Sequence, residues 1–323
     1  MLKVDVCNDL EKAEGLWRRY WPQNCLFDLW PVRACFQDQY HNEPHFIVAS
    51  RGRRVRGLLA LSRIEETQCY GHFPGELWQG KTWLEQNKIV AANPAAARIL
   101  LDHMPAGTRL RYLDCDDRLG ITPWAALDET GYLFYPRQFN NSFDAYWGAF
   151  SGKSRKKIRG EINRLTAGGV AFRYDRPADV DWMLRLNLER YGHLSYFNDV
   201  RFLRAFEKLA AWLLANDLLR VTTVLIGGRI AAVDMGAVWN NTYTVLAGGT
   251  HADFPGVAKL INLHHLEWAC AQEISVVDFL CGEFNWKDRF HLTPRRLYQM
   301  WQPQIRKSQH APIIWNRPAA FAV

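Results

Sequence analysis

Two segments of the chain, one in each half, carry the pattern of a β-hairpin. They read FIVASRGRRVRGLLAL in residues 46–61 and VTTVLIGGRIAAVDMG in residues 221–236. Each has two largely apolar runs separated by a glycine turn, which is typical of a hairpin with buried strands. In each half a helical pattern and a strand ending in aspartate follow, at Asp114 and Asp278. The sequence therefore predicts a weak internal repeat of two similar α/β lobes.

Helical spacing and short apolar runs alternate along most of the chain. A single helix is predicted over 143–166. The second half shows the alternation best, with further helices predicted over 178–191, 203–214 and 257–271 and strands over 219–226, 230–239, 242–248 and 275–280. A chain of 323 residues has room for two domains of about 150 residues each. We predict an α/β fold with mixed, mostly antiparallel sheets flanked by helices, with lobes over residues 1–145 and 146–323.

Composition narrows the class of protein. Hydrophobic residues make up 48% of the chain and charged residues 23%, as expected for a protein with a packed core. No apolar run is long enough to span a membrane, and charges interrupt the place where a signal peptide would be apolar. The seven cysteines form no C-x-x-C pair, so we expect a cytoplasmic protein without a disulfide framework or a metal site.

Positive charge is concentrated in the second half. Residues 1–150 hold 17 basic and 18 acidic residues, whereas the remaining residues hold 23 and 15, a net charge of +8. The segment Ser151–Arg164 alone has six basic residues and one acidic residue. This balance suggests a phosphate-bearing partner, which could be a nucleotide-tailed cofactor, a nucleic acid or an anionic surface. A solvated helix face is the alternative for the basic segment.

Three segments of the second half resemble the GNAT acyltransferase superfamily, in particular its CelD/BcsL-like branch, which is related to the Fem-like aminoacyltransferases. They are FSGKSRKKIRGEINRLTAGGV (150–170), residues 226–269, and VVDFLCGEFNWKDRF (276–290). The resemblance implies tandem GNAT-like lobes, of which the second is catalytic and the first is not. It also implies an N-acyltransferase that moves an acyl group from acyl-CoA to an amine, with no metal ion.

The loop before the helix predicted over 257–271 is the expected donor site. Its residues are Phe254, Pro255, Gly256, Val257, Ala258 and Lys259. Gly256 lets a phosphate approach the backbone, and a pyrophosphate can bind at a helix N-terminus. The family usually has two glycines in this loop, so an ordinary capped helix is the alternative. The resemblance places the basic segment near the donor, which adds Lys156 and Arg159 to this site.

The catalytic residues are expected after the strand over 275–280, since such sheets bind ligands at strand ends. We predict that Glu283 is the general base, that Lys287 holds a phosphate or carboxylate, and that Asp278 orients the loop. A surface ion pair between Glu283 and Lys287 is the alternative. His264 lies on the apolar side of the preceding helix and is expected in the core.

An aromatic-rich segment of the first half, FPGELWQGKTWLEQNK (73–88), is the expected wall of an acceptor pocket. Trp78, Trp83 and Glu85, together with Trp286, are the predicted acceptor-binding residues, and aromatic core packing is the alternative. Part of the segment fits the Walker A pattern. The residues within that loop are too bulky for a phosphate-binding turn, so we do not expect ATP binding.

Two alternatives to acyl-CoA-dependent transfer stay open. A Fem-like enzyme would take its acyl group from aminoacyl-tRNA, which suits the basic second half, although the chain has no long heptad segment. A protein that has lost its chemistry would only bind a ligand. The acceptor could be a small molecule or a peptide amine, and the sequence does not define the oligomeric state.

Overall fold

The computed structural model describes residues 2–282 and 285–302. In chain order the strands are β1 (Lys3–Cys7), β2 (Glu43–Arg51), β3 (Arg54–Ile64), β4 (Cys69–His72), β5 (Val90–Ala91), β6 (Arg109–Leu113), β7 (Ala126–Phe134), β8 (Val170–Tyr174), β9 (Leu219–Ile226), β10 (Arg229–Trp239), β11 (Thr242–Thr250), β12 (Val276–Cys281) and β13 (Thr293–Trp301). The α-helices are α1 (Leu10–Tyr20), α2 (Trp30–Tyr40), α3 (Pro94–Asp102), α4 (Phe143–Gly148), α5 (Gly152–Leu165), α6 (Asp179–Tyr191), α7 (Val200–Ala215), α8 (Val257–Ala271) and α9 (Asn285–Arg289).

The described residues divide into two compact units. The first lies within residues 1–22, 40–131 and 281–323, and the second within 23–39 and 132–280. Each unit contains one of the two predicted hairpins, β2–β3 in the first and β9–β10 in the second. The lobe boundary predicted at residue 145 stays a prediction.

An antiparallel sheet in the order β1-β2-β3-β4 forms the first unit, with β5 paired to β3. Helices α1 and α3 contact this sheet, and β6 and β13 form a further antiparallel pair. A cluster of buried apolar side chains from β2, β3, α3, β6 and β13 fills the space between these elements. The alternating apolar runs of the hairpin supply its largest part, as the sequence predicted.

The second unit has a mixed sheet in the order β12-β11-β10-β9-β8, in which β11 and β12 are parallel and the other neighbours antiparallel. Helix α6 contacts β10 and β11, and α8 also contacts both strands. The carboxylate of Asp179 fixes the start of α6, because it accepts hydrogen bonds from Arg173 on β8 and Thr223 on β9.

These features confirm the α/β class and the mixed, mostly antiparallel sheets flanked by helices. The pattern over residues 143–166 favoured one helix, but the structure has two, α4 and α5. Ser151 starts the second helix, because its hydroxyl oxygen accepts the backbone N–H of Ser154 at 3.2 Å. Among residues 2–282 and 285–302, no helix is long and apolar enough to cross a membrane.

Candidate active site

Strands β11 and β12 of the second unit pair over a short stretch only. Three residue pairs form between them, Thr242–Val276, Tyr243–Val277 and Thr244–Asp278. Strand β11 then continues to Thr250 along β10, without further pairing to the described residues of β12. We call residues 245–250 the β11 edge. Its backbone groups that face away from β10 are available to other partners.

The direction of these backbone groups follows from one hydrogen bond. The N–H of His251 donates to the carbonyl of Ala231 next to β10, at 2.9 Å. Because successive residues of a strand point their backbone groups to opposite edges, Gly249 faces β10 and Gly248 faces away from it. The side chain of Asn187 confirms this direction, since its Nδ2 donates to the Gly248 carbonyl at 2.8 Å. The N–H of Gly248 shares this edge.

Asn187 is itself held in place by a chain of hydrogen bonds. Its Oδ1 accepts the hydroxyl hydrogen of Ser195 at 2.7 Å, and the buried Ser195 Oγ accepts the N–H of Phe197 at 3.1 Å. These bonds fix which end of the Asn187 amide faces Gly248. Helix α6 therefore sets the position of the β11 edge through one side chain.

Two glycines allow α6 and β10 to approach this edge closely. A Cβ atom at Gly249 would lie 2.5 Å from the Met183 carbonyl oxygen, and one at Gly248 would overlap the Asp234 carboxylate. No side chain larger than hydrogen fits at either position without moving the backbone of α6 or the Asp234 side chain. The Gly-Gly pair is thus a packing requirement of the site.

Helix α8 begins directly after the β11 edge, and its N-terminus is open. The residue before its first turn is Gly256, with φ of +93°, and no side chain caps the helix. A Cβ at Gly256 would meet no atom of residues 2–282 and 285–302 within 4 Å, so these residues leave room beside the helix N-terminus. In this turn the N–H groups of Val257 and Lys259 already donate to the carbonyls of Phe254 and Gly256, at 3.1 and 3.0 Å. The N–H of Ala258 and the helix dipole therefore favour an anion at this place.

The predicted donor loop divides into packing residues and exposed residues. Val257 is fully buried, and Phe254 packs against the same cluster beneath α8. Pro255, Gly256 and Ala258 are exposed. The Lys259 ammonium pairs with Glu161 on α5 and keeps the pKa of that carboxyl below its usual value. Lys259 thus ties α5 to the first turn of α8.

Lys156 and Arg159 lie on the other side of α5, in a shallow groove of about 410 Å³ that Arg155 and Asn163 also line. The side chains of Lys156 and Arg159 are exposed, and neither forms an ion pair with a described residue. The structure therefore places these two predicted donor-binding residues together, on a basic surface of the second unit.

At the end of β12, Asp278 is buried and its Oδ1 accepts the N–H of Leu280 at 2.9 Å. Leu280 has φ of +57°, a conformation that a non-glycine residue seldom adopts. The carboxylate thereby holds the backbone that leads out of the strand. Glu283, the predicted general base, lies outside the described residues.

Lys287 and Glu85 meet at one residue of the first unit. The Lys287 ammonium donates to the Cys281 carbonyl at 3.1 Å, and Glu85 Oε1 accepts the Cys281 N–H at 2.8 Å. Both side chains are buried, and Arg295 Nη2 lies 3.8 Å from Glu85 Oε2. Burial and the neighbouring Glu85 raise the pKa of the Cys281 thiol. This arrangement fixes the backbone after β12 and brings together residues predicted for separate roles.

The predicted aromatic wall is held by a further carboxylate. Glu76 Oε1 accepts the N–H groups of Trp83 and Leu84 at 3.0 and 2.8 Å, and it also accepts the hydroxyl of Thr82. The N–H and carbonyl of Trp78 bond with those of Lys81. A buried carboxylate at the centre of this loop is incompatible with a bound phosphate, in keeping with the discounted Walker motif. Trp286 packs edge-on against Phe290, with ring centroids 5.3 Å apart.

The two histidines of α8 occupy different surroundings. His265 is fully buried, and its Nε2 lies 3.0 Å from Asp234 Oδ2. His264 is half-buried and stacks on Phe172, with ring centroids 3.9 Å apart. Burial, with the nearby His265 and Arg220, lowers the pKa of His264 to about 4. His264, which was expected in the core, is therefore only partly buried, and His265 is the core histidine of this helix.

Comparison with known families agrees with this geometry. Residues 152–288 match the family described as acetyltransferase (GNAT) domain. This range begins at α5 and includes α6, α8, β11 and the residues after β12. This part of the chain is a GNAT domain. Among curated proteins, no relative was found by sequence.

Solved structures share the fold over nearly the whole chain. The alignment with FemX spans 92% of this chain and 96% of the FemX chain, at 10% identity and a TM-score of 0.55. The alignment with L-PGS from Bacillus licheniformis spans 93% of this chain and 93% of the L-PGS chain, at 11% identity and a TM-score of 0.52. The alignment with a tandem GNAT protein from the clavulanic acid biosynthesis pathway spans 93% of this chain and 98% of that protein's chain, at 13% identity and a TM-score of 0.48. Nearly the whole chain thus shares its fold with FemX and L-PGS, and residues 152–288 carry the match to the acetyltransferase (GNAT) domain family.

Sequence reasoning missed the residues that hold the β11 edge. Asn187 and Ser195 carry no motif, and their partners are distant in sequence. Gly248 and Gly249 were visible as a pair inside a predicted strand, which is a sign of close backbone approach. That signal could have drawn attention to the strand end. Groups of three or more possible metal ligands are absent from the part of the chain described here.

Proposed function

We propose that the protein is an N-acyltransferase that uses acyl-CoA as the donor and acts on the amine of a small molecule or peptide. The observation that carries the proposal is the β11 edge followed directly by the open N-terminus of α8. A thioester arm can extend along an unpaired strand edge, while the pyrophosphate lies at the helix N-terminus beside the N–H of Ala258. The residues present suit this donor, since Gly256 leaves the helix N-terminus accessible.

The chemistry follows from the groups at this edge. A neutral amine attacks the thioester carbonyl, a base takes the amine proton, and the C–S bond breaks to give an amide and a free thiol. The carbonyl oxygen gains negative charge in the transition state and needs a fixed donor. The N–H of Gly248 is the donor we propose, because its peptide is oriented by Asn187. Glu283 stays our candidate base.

The test of function is a screen with acetyl-CoA and longer acyl-CoAs against amino sugars, amino acids and peptide amines, with thiol release as the signal. We expect donor-dependent release of CoA with at least one class of amine. Absence of donor binding at millimolar concentration in calorimetry would refute this function, and would favour a protein that only binds another ligand.

The role of Glu283 as the general base can be tested by substitution. Glu283→Gln should lower turnover by about 10²–10⁴-fold while leaving donor affinity unchanged, because the amide cannot accept a proton. Glu273→Gln is a matched control, since Glu273 is an exposed residue in the turn after α8. An equal loss of donor affinity in the Glu283 variant would assign it a structural role instead.

A second candidate function is Fem-like transfer from aminoacyl-tRNA. The exposed basic surface of α5 favours it, because it could bind several phosphates. Binding of tRNA would then fall with salt, by about 0.7–0.9 in log affinity per log salt for each contact. We expect acyl-CoA binding to depend less on salt, and absence of tRNA binding at low salt would exclude this candidate.

All seven cysteines are free thiols, which supports a proposed cytoplasmic location.

A further inference from the structure

A second groove of about 360 Å³ adjoins the basic groove of α5, and both are lined by Arg159. It runs between α4, α5 and α8, and Ile162, Leu260 and Leu263 contribute apolar surface to it. We call the two together the α4–α5–α8 groove. One end is basic, the middle is apolar and aromatic, and the other end carries carboxylates.

The basic end is built to bind phosphate. Arg155, Lys156 and Arg159 line the groove from one side of α5. None of the three forms an ion pair with a described residue, and Glu161, the single acidic residue of α5, is already paired with Lys259. The positive charge of this end is therefore not neutralised by neighbouring side chains. Guanidinium groups bind phosphate oxygens through two parallel hydrogen bonds.

The middle of the groove presents two stacked pairs of rings from different elements. On α4, Phe143 and Trp147 stack with an interplanar angle of 18°. On α8 and β8, His264 and Phe172 stack at 19°. The lowered pKa of His264 keeps its ring uncharged at neutral pH. Flat, half-buried and uncharged rings of this kind bind a planar base by stacking.

The far end supplies hydrogen-bond acceptors. Asp144 on α4 and Glu267 on α8 line this end, both are exposed, and neither forms an ion pair with a described residue. Carboxylates accept hydrogen bonds from exocyclic amino groups of bases and repel phosphates. This arrangement gives a bound nucleotide one direction, with phosphates at α5 and the base amino group at Asp144 and Glu267.

We propose that the α4–α5–α8 groove binds an adenosine phosphate, with its phosphates on Arg155, Lys156 and Arg159 and its base against Trp147 and His264. The inference rests on the proposed function, in which this nucleotide is the handle of the acyl donor. The ion pair between Glu161 and Lys259 ties α5 to the helix turn assigned to the donor pyrophosphate. Leu260, the residue after Lys259, lines the groove. The nucleotide end of CoA and the 3′ adenosine of an RNA share this chemistry.

The experiment is calorimetry of adenosine 3′,5′-bisphosphate with the full chain. We expect Arg159→Ala and Trp147→Leu each to weaken binding by about tenfold or more, since a stacked base or a phosphate contact is lost. The controls are Arg164→Ala, whose Nε already donates to the Gly160 carbonyl, and Trp182→Leu, an exposed tryptophan outside the groove. They should change affinity by less than about twofold, as ordinary surface substitutions do.

Base recognition has its own comparison. Uridine 3′,5′-bisphosphate has no exocyclic amino group, so we expect weaker binding than for the adenosine compound. Glu267→Gln should reduce this preference, because an amide is a poorer acceptor than a carboxylate. Equal binding of both compounds would overturn the assigned direction of the nucleotide. Wild-type affinity in both Arg159→Ala and Trp147→Leu would overturn the assignment of the groove itself.

Two further experiments distinguish CoA from RNA as the ligand, and the assignment of the groove from the proposed function. A short single-stranded RNA ending in CCA that binds more tightly than CoA, with steep salt dependence, would assign the groove to RNA. Acyl-CoA turnover with an unchanged donor KM in Arg159→Ala and Trp147→Leu would keep the proposed function and overturn the groove. Bisphosphate binding that is lost in these variants, without any acyl transfer, would keep the groove and overturn the function.

Discussion

Replacement of Asn187 by leucine removes the side chain that holds the β11 edge. Two hydrogen bonds are lost, from Asn187 Nδ2 to the Gly248 carbonyl and from the Ser195 hydroxyl to Asn187 Oδ1. Each contributes about 1 kcal/mol net, and the buried Ser195 hydroxyl loses an acceptor that is costly to replace. We expect the free energy of unfolding to fall by about 2–4 kcal/mol in total. A typical domain has about 5–15 kcal/mol, so the variant should stay folded.

The effect on activity should exceed the effect on structure. Without Asn187 the Gly248 peptide is free to rotate, and its N–H no longer points at a fixed place. Removing one donor to a developing oxyanion costs about 10²–10³-fold in kcat, so misorienting it should cost about 10–100-fold. The donor KM should change little, because the N-terminus of α8 does not depend on this bond.

The assay combines urea unfolding with thiol release from acyl-CoA. Asn216→Leu is the matched control, since Asn216 also donates through Nδ2 to a carbonyl, that of Trp212 at 2.8 Å, but is exposed at the end of α7. It should leave kcat unchanged. A normal kcat in Asn187→Leu, together with the expected loss of stability, would refute the role assigned to the β11 edge.

Three other perturbations test separate parts of the structure. The substitution Gly256→Ala meets no described atom but places a β-carbon at a residue with φ of +93°, so unfolding should show a loss of about 1–2 kcal/mol in stability. In steady-state kinetics it should raise the donor KM more than it lowers kcat. Glu85→Leu should lower the thermal midpoint more than Glu85→Gln, because glutamine keeps an acceptor for the Cys281 N–H; equal shifts would contradict this. Burial lowers the pKa of His264 from about 6.5 to about 4 in the folded chain, so the unfolded state binds more protons and stability should fall as pH drops from 6.5 toward 4. His264→Phe, which keeps the ring on Phe172, should flatten that slope in urea unfolding at several pH values.

The secondary structure of both hairpins could be predicted because it depends on local signals. Apolar runs on either side of a glycine turn define β2–β3 and β9–β10 at nearly the predicted bounds. The division between α4 and α5 was missed, although Ser151 followed by Gly152 is a start signal for a new helix. The apolar and basic spacing continues across this break, and it outweighed the single capping residue.

The histidines of α8 show where periodicity stops being informative. Most of the circumference of this helix is buried, so adjacent residues both look like core positions. Which of His264 and His265 enters the core depends on Asp234, which lies 31 residues before His265 on another element. A partner of this kind is set by strand register and has no local signature.

The candidate site was predictable in part for the same reason. The start of α8 follows from Gly256 and the apolar pattern after it, both visible in the sequence. The hydrogen bond from Asn187 to Gly248 joins residues 61 apart, and that from Cys281 to Glu85 joins residues 196 apart. Those contacts exist only once the sheets have formed, so residue type and spacing could not identify them.

Amide hydrogen exchange with and without acyl-CoA tests the central claim most directly, because it reports on backbone N–H groups one by one. The account predicts that a saturating donor slows exchange at the β11 edge, Gly248 in particular, and in the first turn of α8 at residues 257–259. Adenosine 3′,5′-bisphosphate alone, which we place in the α4–α5–α8 groove, should protect neither Gly248 nor residues 257–259. Donor binding that leaves the exchange of Gly248 and residues 257–259 unchanged would contradict the assignment of this site.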